Sequence, residues 1–106
     1  MKYKNRKIKT ADGVFDSAKE YYRWIELKNL ARSGTITKLK RQVPYVLIES
    51  QKGSVRTERP VKYVADFVYD MDGVTIVEDV KGLRTRDYII KRKLMLKVHG
   101  IEIREV

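Results

Sequence analysis

The chain has 106 residues, 42% of them hydrophobic and 36% charged, with a formal net charge of +10. That length suits one domain, residues 1–106, with a single modest core, and the composition suits a globular chain better than a disordered one. Cysteine is absent and His99 is the single histidine, which excludes disulfides, zinc-thiolate sites and cysteine nucleophiles and argues against histidine triads or multi-histidine metal sites. Any chemistry must come from carboxylates, lysines and hydroxyls. There is no run of 18 apolar residues and no apolar stretch behind the basic leader, residues 1–9, so the expectation is no membrane span, no secretion and a cytoplasmic location.

The positive charge is clustered. Lys2, Lys4, Arg6, Lys7 and Lys9 crowd the leader, and Arg84, Arg86, Lys91, Arg92, Lys93 and Lys97 dominate the stretch after residue 82. Such a surplus points to a polyanion partner, because neutralising phosphates releases condensed counterions. A merely solvated surface would look similar in bulk. Charge proposes nucleic acid and says nothing about cutting it.

In chain order, Asp12-Gly13 marks a turn, and Asp16 or Ser17 caps a helix running to about Arg32, stopped by Ser33-Gly34. Residues 38–49 read as a strand interrupted near Pro44. A polar segment, residues 50–60, follows, with Lys52-Gly53-Ser54 able to turn a hairpin. From Val61 to Asp70 the chain alternates, with Tyr63, Ala65, Phe67 and Tyr69 expected on one face and Val64, Asp66 and Val68 on the other. Asp72-Gly73 is a strong hairpin signal. The next strand covers Val74 to about Lys81. Thr85 caps a second helix to about Val98, closed by His99-Gly100, and residues 101–105 form a last short strand. The expected class is α/β (α+β): helix, three strands, helix, strand, with a mixed sheet flanked by two helices.

A two-residue turn at Asp72-Gly73 pairs Met71 with Val74 and so sets Asp66 opposite Asp79, with their Cβ atoms roughly 4.5–5.5 Å apart. Two facing carboxylates repel unless something cationic lies between them. Lys81, two residues past Asp79, projects from the same face. Phosphodiester hydrolysis needs this set: oxygen ligands for Mg²⁺, a cation to polarise the phosphoryl group, and a lysine for the growing charge. The bland alternative, a surface ion pair beside a solvated aspartate, is weakened by the flanking valines 64, 68 and 77. Glu20 falls on the helical arc of Trp24, Leu27 and Ala31, where a carboxylate needs a partner. Metal ligation is one answer. The other is a capping box in Ser17-Ala18-Lys19-Glu20. In the second helix Arg86, Lys93 and Lys97 line one stripe, with Lys91 nearby, and either follow a phosphate backbone or snorkel over the core. Tyr88 and Trp24 suit core packing better than base stacking. Glu78 faces away from Asp79, and His99 is assigned to the helix end.

These residues resemble the PD-(D/E)XK nucleases. The signature corresponds to Ala65-Asp66, lacking the usual proline, and to Asp79-Val80-Lys81, while Phe15-Asp16-Ser17-Ala18-Lys19-Glu20 is similar to the motif that supplies a helical glutamate. Tyr63 to Tyr69, Val77 to Gly82 and Lys91-Arg92-Lys93 together resemble a family of small phage and prophage proteins over nearly the whole chain. The resemblance implies a restriction-endonuclease-like core and a Mg²⁺-dependent endodeoxyribonuclease, with Mn²⁺ able to substitute. Asp66, Asp79 and the Val80 carbonyl would hold the metal, Lys81 would be catalytic, and Glu20 would assist. Arg86, Lys91, Lys93 and Lys97 would contact DNA. Branched recombination intermediates such as Holliday junctions, in the host cytoplasm for a phage protein, are the implied substrate, with double-stranded DNA as the broader class. A homodimer would suit symmetric cleavage, although no sequence feature demands one. The alternative is a non-catalytic nucleic-acid-binding module of similar fold.

Overall fold

A computed structural model describes residues 6–106; most of the basic leader, residues 1–5, lies outside the described residues. Two short strands, β1 (Ile8–Thr10) and β2 (Gly13–Phe15), pair around the Asp12-Gly13 turn. Helix α1 (Ala18–Arg32) follows, then β3 (Thr37–Ile48), a two-stranded arm of β4 (Gln51–Lys52) and β5 (Thr57–Glu58), β6 (Val61–Met71), β7 (Val74–Asp79), helix α2 (Arg86–His99) and β8 (Arg104–Glu105). The main sheet has the order β3-β6-β7-β8, antiparallel except for the parallel β7·β8 pair. The fold is therefore mixed α/β, with a helix against each face of the sheet. No helix among the described residues is long and apolar enough to cross a membrane.

Local chemistry explains the helix ends. Ser17 accepts a hydrogen bond from the Glu20 amide at 3.1 Å, and Thr85 does the same for Tyr88 at 3.2 Å, each cap stabilising its helix by about 1 kcal/mol. Helix α2 stops at Gly100, which takes a left-handed φ of 68°, as a helix end allows for glycine. Asp72 and Gly73 also have positive φ, 53° and 77°, the geometry of a type I′ turn. The pairing Met71↔Val74 through Phe67↔Glu78 then has the register expected from the sequence.

The expectation for β6 is corrected. Tyr63, Ala65, Phe67 and Tyr69 are all buried but do not share a face. Tyr63 and Ala65 pack with Val68, Val77, Tyr88 and Met95 on the α2 side, whereas Phe67 and Tyr69 pack with Leu27, Ile36 and Ile76 on the α1 side. The switch falls between Ala65 and Phe67, and β3 switches with it: Val43 and Tyr45 lie against the first cluster, Leu39 against the second. Opposite Asp66 stands Gln42, with φ of 53°, a left-handed conformation that costs a non-glycine residue roughly 1–2 kcal/mol. The two strands thus reverse their alternation at one shared kink.

Among smaller elements some strand bounds are corrected, while the hairpin around Gly53, the core packing of Trp24 and the place of His99 at a helix end are as expected. The leader contributes β1, the polar segment forms the β4·β5 arm, β7 ends at Asp79 and the last strand is only Arg104–Glu105. Arg23 reaches under α1 to bond Glu78 through two nitrogens at 2.8 and 2.6 Å, and Tyr69 donates to the same fully buried carboxylate. Trp24 stacks on Phe67 at 5.9 Å between centroids and donates to Asp12 at 2.9 Å, so it serves the core. His99 ends α2, with Nε2 2.8 Å from the Val46 carbonyl oxygen.

Edge strand β8 is fastened through Glu105. Its carboxylate accepts from Arg84 at 2.7 Å, Tyr88 at 2.6 Å and Arg92 at 2.9 Å. The Tyr88 hydroxyl, then Arg84 and Arg92, hold its pKa down at about 2. A carboxylate with a depressed folded pKa stabilises fully above its unfolded value and loses that contribution as pH falls through the folded one. Glu105→Gln is therefore expected to cost on the order of 2 kcal/mol at neutral pH. It should also flatten the fall of the melting temperature between pH 4.5 and 2; a variant slope equal to wild type over that window would refute the assignment.

Candidate active site

The hairpin ladder stops at Phe67↔Glu78, one position short of Asp66 and Asp79. Instead of pairing main chain to main chain, the Val80 amide donates to Asp66 Oδ2 at 2.8 Å. The parallel edge then takes over: Val106 donates to the Asp79 carbonyl at 3.0 Å, and Lys81 donates to the Val106 carbonyl at 3.3 Å. The Asp79-Val80-Lys81 segment is thereby held on one side by a carboxylate and on the other by β8. The sequence expectation that Lys81 follows Asp79 by strand alternation is modified, because the strand has ended, yet the two side chains do meet.

Asp79 is 2% exposed. Lys81 Nζ approaches its Oδ2 to 2.9 Å and also lies 4.1 Å from the centre of the Tyr88 ring. The approach is an ion contact without hydrogen-bond alignment, and Asp79 Oδ2 remains buried without a hydrogen-bond partner, as does the Tyr63 hydroxyl. Burial and then the nearby Asp79 charge push ionisation of Tyr63 far up. Asp66 is raised well above the ordinary carboxylate range, first by burial and next by Asp79, against the lowering effect of the Val80 amide. A buried and a half-buried carboxylate side by side, with one lysine between them and solvent and one oxygen lacking a hydrogen bond, form a site short of positive charge.

Glu20 joins from α1. It is 4% exposed, and Gln42 Nε2 lies between it and the hairpin, 3.3 Å from Glu20 Oε2 and 3.4 Å from Asp66 Oδ1. Arg41 Nη2 is 3.6 Å from Glu20 Oε2. Only the Ser17 half of the capping box forms; the Glu20 carboxylate turns inward rather than back to the Ser17 amide. Its pKa is raised by burial, then by Asp66 and Asp16. Both sequence readings of this region thus contain part of the answer, since Ser17 caps and Glu20 faces the acids.

An open cleft of about 370 Å³ runs over this group, lined by Ser17, Lys19, Glu20, Asp66, Val80 and Lys81 among others. Among the described residues no three carboxylate or histidine side chains cluster as a ready-made metal cage. The donors nevertheless fit a hard divalent cation of the kind held by one or two carboxylates and water: Asp66, Asp79 with its unmatched oxygen, and the main chain at Val80. The α2 residues are not gathered here. Arg86, Lys93 and Lys97 are exposed and Lys91 half-buried, and none of the four lines the cleft.

Gln42, Arg41 and Tyr63 escaped the sequence reading. Arg41 lies 3.7 Å over the Phe15 ring and bonds the Asp12 and Val14 carbonyls at 3.3 and 2.9 Å, fastening the β1·β2 hairpin across the strand that carries Gln42. Three successive polar residues, Lys40, Arg41 and Gln42, interrupting a strand between Leu39 and Val43 were the available signal.

A carboxylate whose folded pKa is raised binds its proton more tightly in the folded state, so stability falls as pH rises through that pKa. Asp66→Asn removes the charge while keeping an acceptor for the Val80 amide. In chelator the variant should melt higher than wild type at neutral pH, by about 1–3 kcal/mol of stability. It should also lose the stabilisation that added Mg²⁺ or Mn²⁺ gives wild type. Lower stability than wild type, with the metal response intact, would contradict this reading.

Comparison with known proteins returns no match among curated proteins and none among solved structures. One family model, described as "Protein of unknown function (DUF1064)", matches residues 1–105. The chain belongs to that family.

Proposed function

We propose that the protein is a metal-dependent endonuclease that hydrolyses phosphodiester bonds in DNA. The observation that carries this reading is the half-buried Asp66 beside the buried Asp79, whose Oδ2 has no hydrogen-bond partner and only the Lys81 ammonium at 2.9 Å, with Asp66 and Lys81 lining a cleft open to solvent. A structural core has no use for such a pair, because ionising both costs stability. A pure binding surface has little more, since carboxylates repel phosphate.

Asp66, Asp79 and the Val80 carbonyl would hold Mg²⁺ or Mn²⁺. Bound there, the cation supplies Lewis-acid polarisation of a phosphoryl oxygen and eases deprotonation of water. Lys81 stabilises the negative charge that builds on the phosphate as water forms one P–O bond and the ester P–O bond breaks. Gln42, itself bonded to Glu20, donates to Asp66 Oδ1 and leaves the other Asp66 oxygen with the Val80 amide. The surplus of positive charge, +10 overall, and exposed Arg86, Lys93 and Lys97 on α2 favour a polyanionic substrate. Branched recombination intermediates, a phage setting in the host cytoplasm and a homodimer rest on the resemblance to PD-(D/E)XK nucleases described above.

A second reading has one observation in its favour: Lys81 already contacts Asp79, so the acids are partly neutralised without a metal. On that reading the protein binds nucleic acid and cuts nothing. Incubation with branched, duplex and single-stranded DNA in Mg²⁺, Mn²⁺ or chelator separates the two. Cleavage is expected with metal only, and Asp79→Asn or Lys81→Met should slow it by at least about 100-fold. Absence of cleavage on every substrate, or an Asp79→Asn variant that cuts like wild type, leaves the binding module standing.

A further inference from the structure

Beside the acid cleft lies a second hollow of about 530 Å³, lined by Lys19, Tyr22, Arg23, Glu26, Val80 and Val106. It shares Lys19 and Val80 with the cleft, so the two hollows adjoin along α1. Tyr22 is 66% exposed, its ring meeting the Tyr21 ring at 6.0 Å between centroids and open to solvent elsewhere. Lys19 and Tyr22 stand one helical turn apart on the same face, and Glu26 one turn beyond. Lys19 Nζ touches only the Lys81 carbonyl, at a long 3.5 Å. Arg23, by contrast, is committed to Glu78 and to Glu26 at 3.7 Å.

We infer that this hollow receives an unpaired nucleotide of the substrate strand, with its base stacked on Tyr22 and its phosphate on Lys19, next to the phosphate presented to Asp66 and Asp79. The volume falls within the usual range for ligand pockets. An exposed ring flanked by the apolar Val80 and Val106 matches a nucleobase face, and a free lysine matches its phosphate. A base pair inside a duplex hides both faces in the stack and cannot use such a ring. Glu26 adds an acceptor for an exocyclic base amine. The groove therefore selects DNA with single-stranded character beside the cut, a flap, gap or branch, over continuous duplex. The inference rests on the nuclease reading only for the position of the scissile phosphate; binding of the unpaired base is measured without cleavage.

The test uses the full chain in chelator at low salt with two labelled DNAs. One is a duplex with a three-nucleotide overhang carrying 2-aminopurine, and the other is a blunt duplex with the label base-paired. Wild type should bind the overhang more tightly and quench its fluorescence. Tyr22→Phe should behave like wild type. Tyr22→Ala should lose the quench and bind the overhang about tenfold more weakly, with blunt-duplex affinity and melting temperature unchanged. Lys19→Gln should reduce the slope of log affinity against log salt by about one unit. If wild type does not distinguish the two DNAs, or Tyr22→Ala binds the overhang as wild type does, the inference falls. A protein that passes these tests yet cuts nothing would overturn the nuclease reading and leave the groove assignment in place.

Discussion

Everything around the candidate site follows from placing a buried carboxylate, Asp79, beside a half-buried one, Asp66, at the open end of a hairpin. Removing a charge from solvent costs several kcal/mol, and a second like charge beside it adds to that. The surrounding structure offsets part of the cost. Val80 turns its amide onto Asp66, and Lys81 folds back over Tyr88 to reach Asp79. Strand β8 holds the segment through the Val106 main chain. What remains is one oxygen of Asp79 that has an ionic contact but no hydrogen bond, and the raised pKa of Asp66. Strain concentrated in so small a volume is a feature of sites that bind something.

The kink at Gln42 and Asp66 is how the sheet accommodates this. On its Val43 and Ala65 side, β3 and β6 present their odd-numbered residues to α2; on its Leu39 and Phe67 side, they present them to α1. The reversal lets Asp66 leave the regular ladder without exposing the core on either side. It also sets the Gln42 carboxamide between Glu20 and Asp66. Because Arg41 ties this point to the β1·β2 hairpin and to Glu20, the leader-side hairpin belongs to the support of the site.

Much of this was legible in the sequence where local chemistry decides the outcome. Ser17, Thr85 and Gly100 mark helix ends through their own hydrogen bonds and dihedrals. Asp72-Gly73 sets the register that brings Asp66 to Asp79. The opposite facing of Glu78 also follows from simple alternation. What was not legible depends on partners far apart in sequence. No periodicity announces that two strands reverse their faces at one shared point, so Phe67 and Tyr69 were placed with Tyr63 and Ala65. The tie from Arg23 to Glu78 spans 55 positions, and Gln42 carried no signal beyond the polar run of residues 40–42. The family relationship adds a boundary of residues 1–105 but no activity.

The central claim is that the Asp66 and Asp79 pair is built for a divalent cation. Direct Mn²⁺ binding, followed by the loss of the free-ion paramagnetic resonance signal as protein is added, addresses it most simply. The account predicts saturable binding to wild type that Mg²⁺ displaces, and binding at least about tenfold weaker in Asp79→Asn, with Glu105→Gln binding as wild type when folded. Equal Mn²⁺ affinity in wild type and Asp79→Asn, or no saturable binding to wild type, would contradict it.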